Sequence, residues 1–179
     1  MKRILVPQKL NVRQLCTLAL LTAITVVLAV FCTIRVGPAI KIPLKFISVF
    51  LTAVIFGPWY AGLSAALGDI LNLMLAPSGM PPLPLLTVLE FVNGFIFGLF
   101  FYTNTQKSYF LRAFICTLLL FLSDMFLTTA VLTHADLVPT FWVGFGTRII
   151  AGVIKWALQF AVLLLFKRHT PRLKKIMQK

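Results

Sequence analysis

The chain has 179 residues, 60% of them hydrophobic and 12% charged, and seventeen Lys and Arg against four Asp and Glu give a net charge of +13. Mean hydropathy is +0.98, which excludes a water-soluble globular domain, and the length holds about six spans of ~20 residues with no room for a separate catalytic domain. The basic excess is not a nucleic-acid surface, because it collects in the tails and loops of an apolar chain, the positive-inside pattern of a membrane protein.

Residues 1–13 form a basic N-terminal tail carrying Lys2, Arg3, Lys9 and Arg13. The apolar run from Leu15 to Phe31 is close to spanning length and is followed by no small-residue cleavage site, so it reads as the first span, 14–33, and not as a cleaved leader. Ala19 and Ala23 lie one turn apart on it, a small-residue face suited to close helix packing, inside the protein or against a partner. The loop 34–43 holds Arg35 and Lys41, with Lys45 just beyond, three basic residues on the outer side that bind lipid phosphates or form a mouth for an anionic solute.

Residues 44–76 read as two spans, 44–57 and 59–76, divided at Gly57-Pro58. Six spans put both basic tails on the same, cytoplasmic side, whereas a single kinked helix here would give five and place one tail outside. The third span carries Asp69 and Asn72 and the small pair Gly62 and Ala66. The segment 77–83, with Pro84 after it, is nearly helix-proof and unusually apolar for a loop, either a cap over a cavity or a plain turn.

The fourth span, 84–103, contains Glu90, Phe91 and Asn93 and the pair Gly94 and Gly98. Lys107 and Arg112 then mark a cytoplasmic loop before the fifth span, 109–132, which carries Asp124. The sixth, 141–166, carries Trp142, Arg148 and Lys155, and the tail 167–179 is basic again. Cys16 and Cys32 stand ~24 Å apart on one helix, too far for a disulfide; with Cys116 they read as packing thiols. His134 and His169 fall on opposite sides of the last span, so no metal site is visible, and no cofactor is expected.

An ionisable side chain within a span is expensive unless it faces a partner or a wet cavity. Counted from the outer ends of their spans, Asp69, Glu90, Asp124 and Arg148 all fall roughly 10 Å deep, a common level that predicts one polar layer across spans three to six. The plain alternative is interhelical pairing, such as Asp124 or Glu90 with Arg148. Lys155 lies seven residues beyond Arg148, on the same helix face and about 10 Å deeper, paired to an acid such as Asp69 or snorkelling. No P-loop, His-Glu-x-x-His motif, serine elbow or catalytic carboxylate pair is present, which argues against an enzyme.

The stretch from Arg35-Val-Gly-Pro-Ala-Ile-Lys41-Ile-Pro through Phe56-Gly57-Pro58 and Ala61-Gly62 to Gly68-Asp69 resembles the substrate-binding S components of energy-coupling factor (ECF) vitamin transporters. Pro77-Ser-Gly79, Thr87, Asn93-Gly94 and Phe97-Gly98-Leu-Phe are similar to the third loop and fourth helix of the folate-specific branch. Arg148-Ile-Ile ahead of Lys155 looks like its sixth helix. The resemblance covers most of residues 12–166. It implies a single-domain, all-α bundle of six transmembrane helices with both termini cytoplasmic, in the bacterial cell membrane.

The resemblance also implies that Ala19 and Ala23 dock a transmembrane coupling subunit, that two separate ATPase subunits hydrolyse ATP, and that the S component topples in the membrane to release its cargo. Folate suits the basic mouth. Arg35, Lys41, Lys45 and Arg148 are candidates for its dianionic glutamate tail. Asn93, Asp69 and Glu90 are candidates for the pterin edge, Phe46, Phe91 or Trp142 for stacking, and Asp124 and Lys155 complete the expected pocket. A queuosine precursor or pantothenate are alternative cargoes within the family, and a small scaffold of the cell-wall machinery is the alternative outside it.

Overall fold

The computed structural model describes residues 10–36, 40–75, 84–102, 109–134 and 141–167. The basic tails, the proline-rich segment 77–83, Lys107 and His169 lie outside the described residues, as do the side chains of Arg35, Lys41, Trp142 and Arg148. Six helices run in chain order: α1 (Val12–Val30), α2 (Phe46–Phe56), α3 (Pro58–Leu75), α4 (Pro84–Phe101), α5 (Tyr109–His134) and α6 (Phe141–Phe166). They coincide with the six predicted spans. By length and composition α1, α4 and α5 can each cross a membrane, and α2 is a shorter apolar helix, as its 14-residue prediction foresaw.

Between α1 and α2 the chain also forms a feature not expected from the sequence, a two-stranded antiparallel hairpin of β1 (Thr33–Val36) and β2 (Ile40–Pro43). The backbone N–H of Leu44 donates to the Cys32 carbonyl at 3.3 Å, closing the hairpin onto the ends of both helices. Five of its eight residues are β-branched, a bias that favours strands. Residues Arg35 and Lys41 stand opposite each other in register, and β2 packs against α6.

The division at Gly57-Pro58 is real. Gly57 has φ +92°, a left-handed conformation that L side chains rarely adopt, and its N–H closes α2 by donating to Ala53 at 3.2 Å. Pro58 opens α3, where its missing N–H costs nothing. The ring of Tyr102 covers Gly57, 3.3 Å from where a Cβ would stand.

From that joint α3 runs back along α4 at close range. A Cβ on Gly94 would lie 2.6 Å from the Ala61 carbonyl oxygen, one on Gly62 would meet the Phe91 ring at 2.9 Å, and one on Gly98 would overlap Pro58. The small residues predicted on these spans therefore serve internal packing. Behind them Phe50 of α2, 1% exposed, takes edge-to-face contacts from Phe97, Phe101 and Phe166 with centroids 6.2, 5.0 and 5.9 Å away. Tyr109 joins α5 to α6 by donating its hydroxyl to the Leu163 carbonyl at 2.8 Å.

Helix α1 sits at the margin. Leu21, Thr25 and Ala29 are its buried residues, and they face α2 and α3. Thr25 donates to Ser48 at 3.0 Å, Ser48 donates to the Leu21 carbonyl at 2.8 Å, and Thr22 donates to Ser64 at 3.2 Å. A methyl of Thr25 packs on Gly68. In lipid, where apolar contact between helices gains little over contact with acyl chains, such hydroxyl bonds and close approaches carry much of the attachment.

Candidate binding cavity

The helices α2 to α6 each send side chains to a common space, and all but α3 send at least one predicted residue. From α2 come Lys45, at its N-cap, with Phe46 and Val49; α3 adds Ala65. From α4 come Glu90, Asn93, Gly94 and Phe97, the spacing of a single helix face. Leu120 and Asp124 close the α5 side, Lys155 and Gln159 the α6 side. Together they bound a partly open cavity between the helices.

Two charge clusters form its polar walls. In the first, Lys45 lies 2.9 Å from Glu90 and 3.6 Å from Asp69. Thr87 donates to the other Asp69 oxygen at 3.0 Å. In the second, Lys155 Nζ contacts Asp124 Oδ2, and Asn93 Nδ2 donates to Asp124 Oδ1 at 3.0 Å. The three acids stranded in apolar spans thus each have a lysine. Lys45, at 8% exposure, has its burial compensated by two carboxylates.

Of the expected layer, Glu90, Asn93 and Asp124 line the one cavity and Asp69 is tied to it through Lys45, while the side chain of Arg148 lies outside the described residues. Glu90 pairs with Lys45, and Lys155 pairs with Asp124 although the sequence put it deeper than Asp124. Counted from the helix ends, Asp124 lies about 15 Å below His134 and Lys155 about 21 Å below Phe141, a gap that a four-carbon lysine stem spans. Helix counting locates the Cα atom; the long side chain decides where the charge sits.

Among the predicted residues the cavity thus brings together Lys45, Phe46, Glu90, Asn93, Asp124 and Lys155, with Asp69 attached through Lys45. Phe91 is not part of its wall: it packs on Gly62 and stacks with Phe95, 6.3 Å between centroids, on the neighbouring face of α4. Phe97 and Phe46 are the aromatic walls in its place. Residues Val49, Phe97, Leu120 and Gln159 escaped the sequence reading, though each lies four residues from a predicted one. Extending each polar position by one turn would have found them.

The polar balance inside is one-sided. Among the described residues two ammonium groups face three carboxylates, and the buried Oδ1 of Asn93 has no hydrogen-bond partner. A guest that presents N–H groups satisfies such a surface; a buried anion would meet excess negative charge. In the hairpin, residues Arg35 and Lys41 occupy opposite positions, and like charges directly across a strand pair destabilise it.

Comparison with known proteins agrees with this architecture. Residues 9–167 match the ECF-type riboflavin transporter S-component family. The folate transporter FolT of Clostridium novyi (strain NT) is 34% identical over 87 residues, a match that covers 49% of this chain and spans about half the length of that relative. The crystal structure of FolT bound with folic acid superposes with a TM-score of 0.76 at 26% identity, over 89% of this chain and 95% of that one.

Proposed function

The chain belongs to the ECF-type riboflavin transporter S-component family, and from that premise we propose that it captures folate for import, with a transmembrane coupling subunit and two ATPase subunits as partners. It is a multi-pass bacterial membrane protein and a substrate-binding subunit, not an enzyme; family membership sets aside the cell-wall scaffold reading. The observation that carries the cargo is the likeness to folate-bound FolT along nearly the whole fold.

The chemistry of the cavity supports the same cargo and an orientation for it. The aminopyrimidinone edge of a pterin bears N–H donors, which suit the carboxylate-rich wall and the open Asn93 acceptor. Phe46 and Phe97 offer the flat ring apolar surface. The glutamate tail carries two carboxylates and goes to the hairpin end, where Arg35, Lys41 and, from α6, Arg148 are the candidate partners. On the outer side of the bundle Ala19 and Ala23 are exposed and form the proposed docking face for the coupling subunit.

The family description favours riboflavin as a second reading. Riboflavin is uncharged and leaves the facing positions of Arg35 and Lys41 without a counterion. Quenching of tryptophan fluorescence in the purified protein, titrated with folic acid and with riboflavin, decides between them. Saturable binding of folic acid in preference to riboflavin is the expected result; the reverse preference overturns the folate assignment and keeps the family.

A further inference from the structure

Asn93 is 9% exposed and lines the cavity, yet its carbonyl oxygen has no partner among the described residues. An amide can turn over and exchange its oxygen for its nitrogen, and here the neighbour decides between the two. Asp124, ion-paired to Lys155, offers only lone pairs to Asn93. The amide must therefore present nitrogen to Asp124, and Oδ1 is left over as an acceptor. Lys155 on α6, Asp124 on α5 and Asn93 on α4 form a chain in which an ion pair at one end sets the polarity of an amide at the other.

We infer that Asn93 Oδ1 is a specificity-determining acceptor for an N–H group of the cargo, and that Asp124 is a positioning residue that fixes the amide in its accepting orientation. The inference rests on the folate reading, since it assigns the partner of Asn93 to the donor edge of the pterin, either the 2-amino group or N3–H. A cargo without a donor there leaves a buried carbonyl dry, which costs about ten- to hundredfold in affinity. The same wall admits guests with an amidine-like N–H edge and rejects those whose inner end is a carbonyl or carboxylate. Gln159, 5% exposed on the same wall, adds a second amide to the donor–acceptor surface.

The test pairs changes in the protein with changes in the ligand. Folic acid, its 2-desamino analogue and its N3-methyl analogue are titrated into wild type, Asn93→Leu and Asp124→Asn, each first shown to be folded by its thermal midpoint and elution volume. Wild type is expected to prefer folic acid over at least one analogue by about ten- to hundredfold. Asn93→Leu brings folic acid down to the level of that analogue and erases the preference. Asp124→Asn leaves Asn93 in place but lets its amide turn over, so the preference shrinks.

A preference that survives intact in Asn93→Leu, or an equal weakening of all three ligands, overturns the acceptor role. A preference kept in full by Asp124→Asn overturns the positioning role. Should Asn93→Leu not fold, Asn93→Ala carries the same comparison. A wild-type protein that does not bind folic acid overturns the folate reading itself, and this is seen before any variant is measured.

Discussion

Gly94 of α4 lies against the backbone of Ala61 in α3, so close that a single added methyl would stand 2.6 Å from the Ala61 carbonyl oxygen. This approach, repeated at Gly62 and Gly98, brings Asp69 on α3 and Glu90 on α4 within reach of one lysine. Gly94→Ala is expected to separate the helices and lower stability by about 1–3 kcal/mol. Gly146→Ala, on α6 with nothing within 4 Å of the new methyl, is the matched control and leaves stability unchanged or slightly raised. Thermal midpoints in detergent compare the two; equal midpoints contradict the packing account.

Removing Lys45 abandons two carboxylates at once. Lys45→Met is expected to destabilise by about 3–5 kcal/mol, because the partners left behind are largely withdrawn from solvent. Adding Asp69→Asn and Glu90→Gln to the same chain recovers part of the loss, since neutral amides need no counterion. A single mutant as stable as the parent would show that the pairing is incidental.

The two ends of the proposed cargo can be separated chemically. Pteroic acid lacks the glutamate tail but keeps the pterin. Arg35→Ala, Lys41→Ala and Arg148→Ala should each weaken folic acid by about tenfold, the scale of one charge-assisted hydrogen bond, and leave pteroic acid nearly unchanged. Equal losses for both ligands would place these residues in the structure of the mouth and not in contact with the tail.

The exposed face of α1 makes a prediction that does not involve cargo. Ala19→Trp with Ala23→Trp is expected to preserve ligand binding by the isolated subunit and to abolish co-purification with the coupling and ATPase subunits. Unchanged assembly would exclude this face as the docking surface.

Much of this architecture was legible in the residues because lipid leaves so few options. Every span must close its own backbone hydrogen bonds, so apolar runs between Gly57-Pro58, the proline-rich segment and the basic loops could only be helices. The stranded acids likewise marked the cavity. Pairing was not legible: residue counting fixes Cα depth, while Lys45 and Lys155 carry their charges several ångströms from it. The hairpin escaped because two strands of four residues are too short for alternation to stand out, although their β-branched residues were a usable sign. The aromatic wall was misread, Phe91 for Phe97: Phe91 follows Glu90 directly and so points about 100° away from it, whereas Phe97 lies one turn beyond Asn93 on the lining face.

For α1 the surroundings matter less than the fit. Its inner face is fastened by directional bonds, Thr22 to Ser64 and Thr25 to Ser48, while Leu20, Ile24 and Val27 lie 40–62% exposed on the outside. Acyl chains and a partner helix are equally apolar to those side chains. Exchanging one neighbour for the other therefore disturbs no bond within the bundle and brings almost no hydrophobic gain. Docking of the proposed coupling subunit on this face would be governed by shape alone, and it could be made and released repeatedly while the cavity between the other helices keeps its walls.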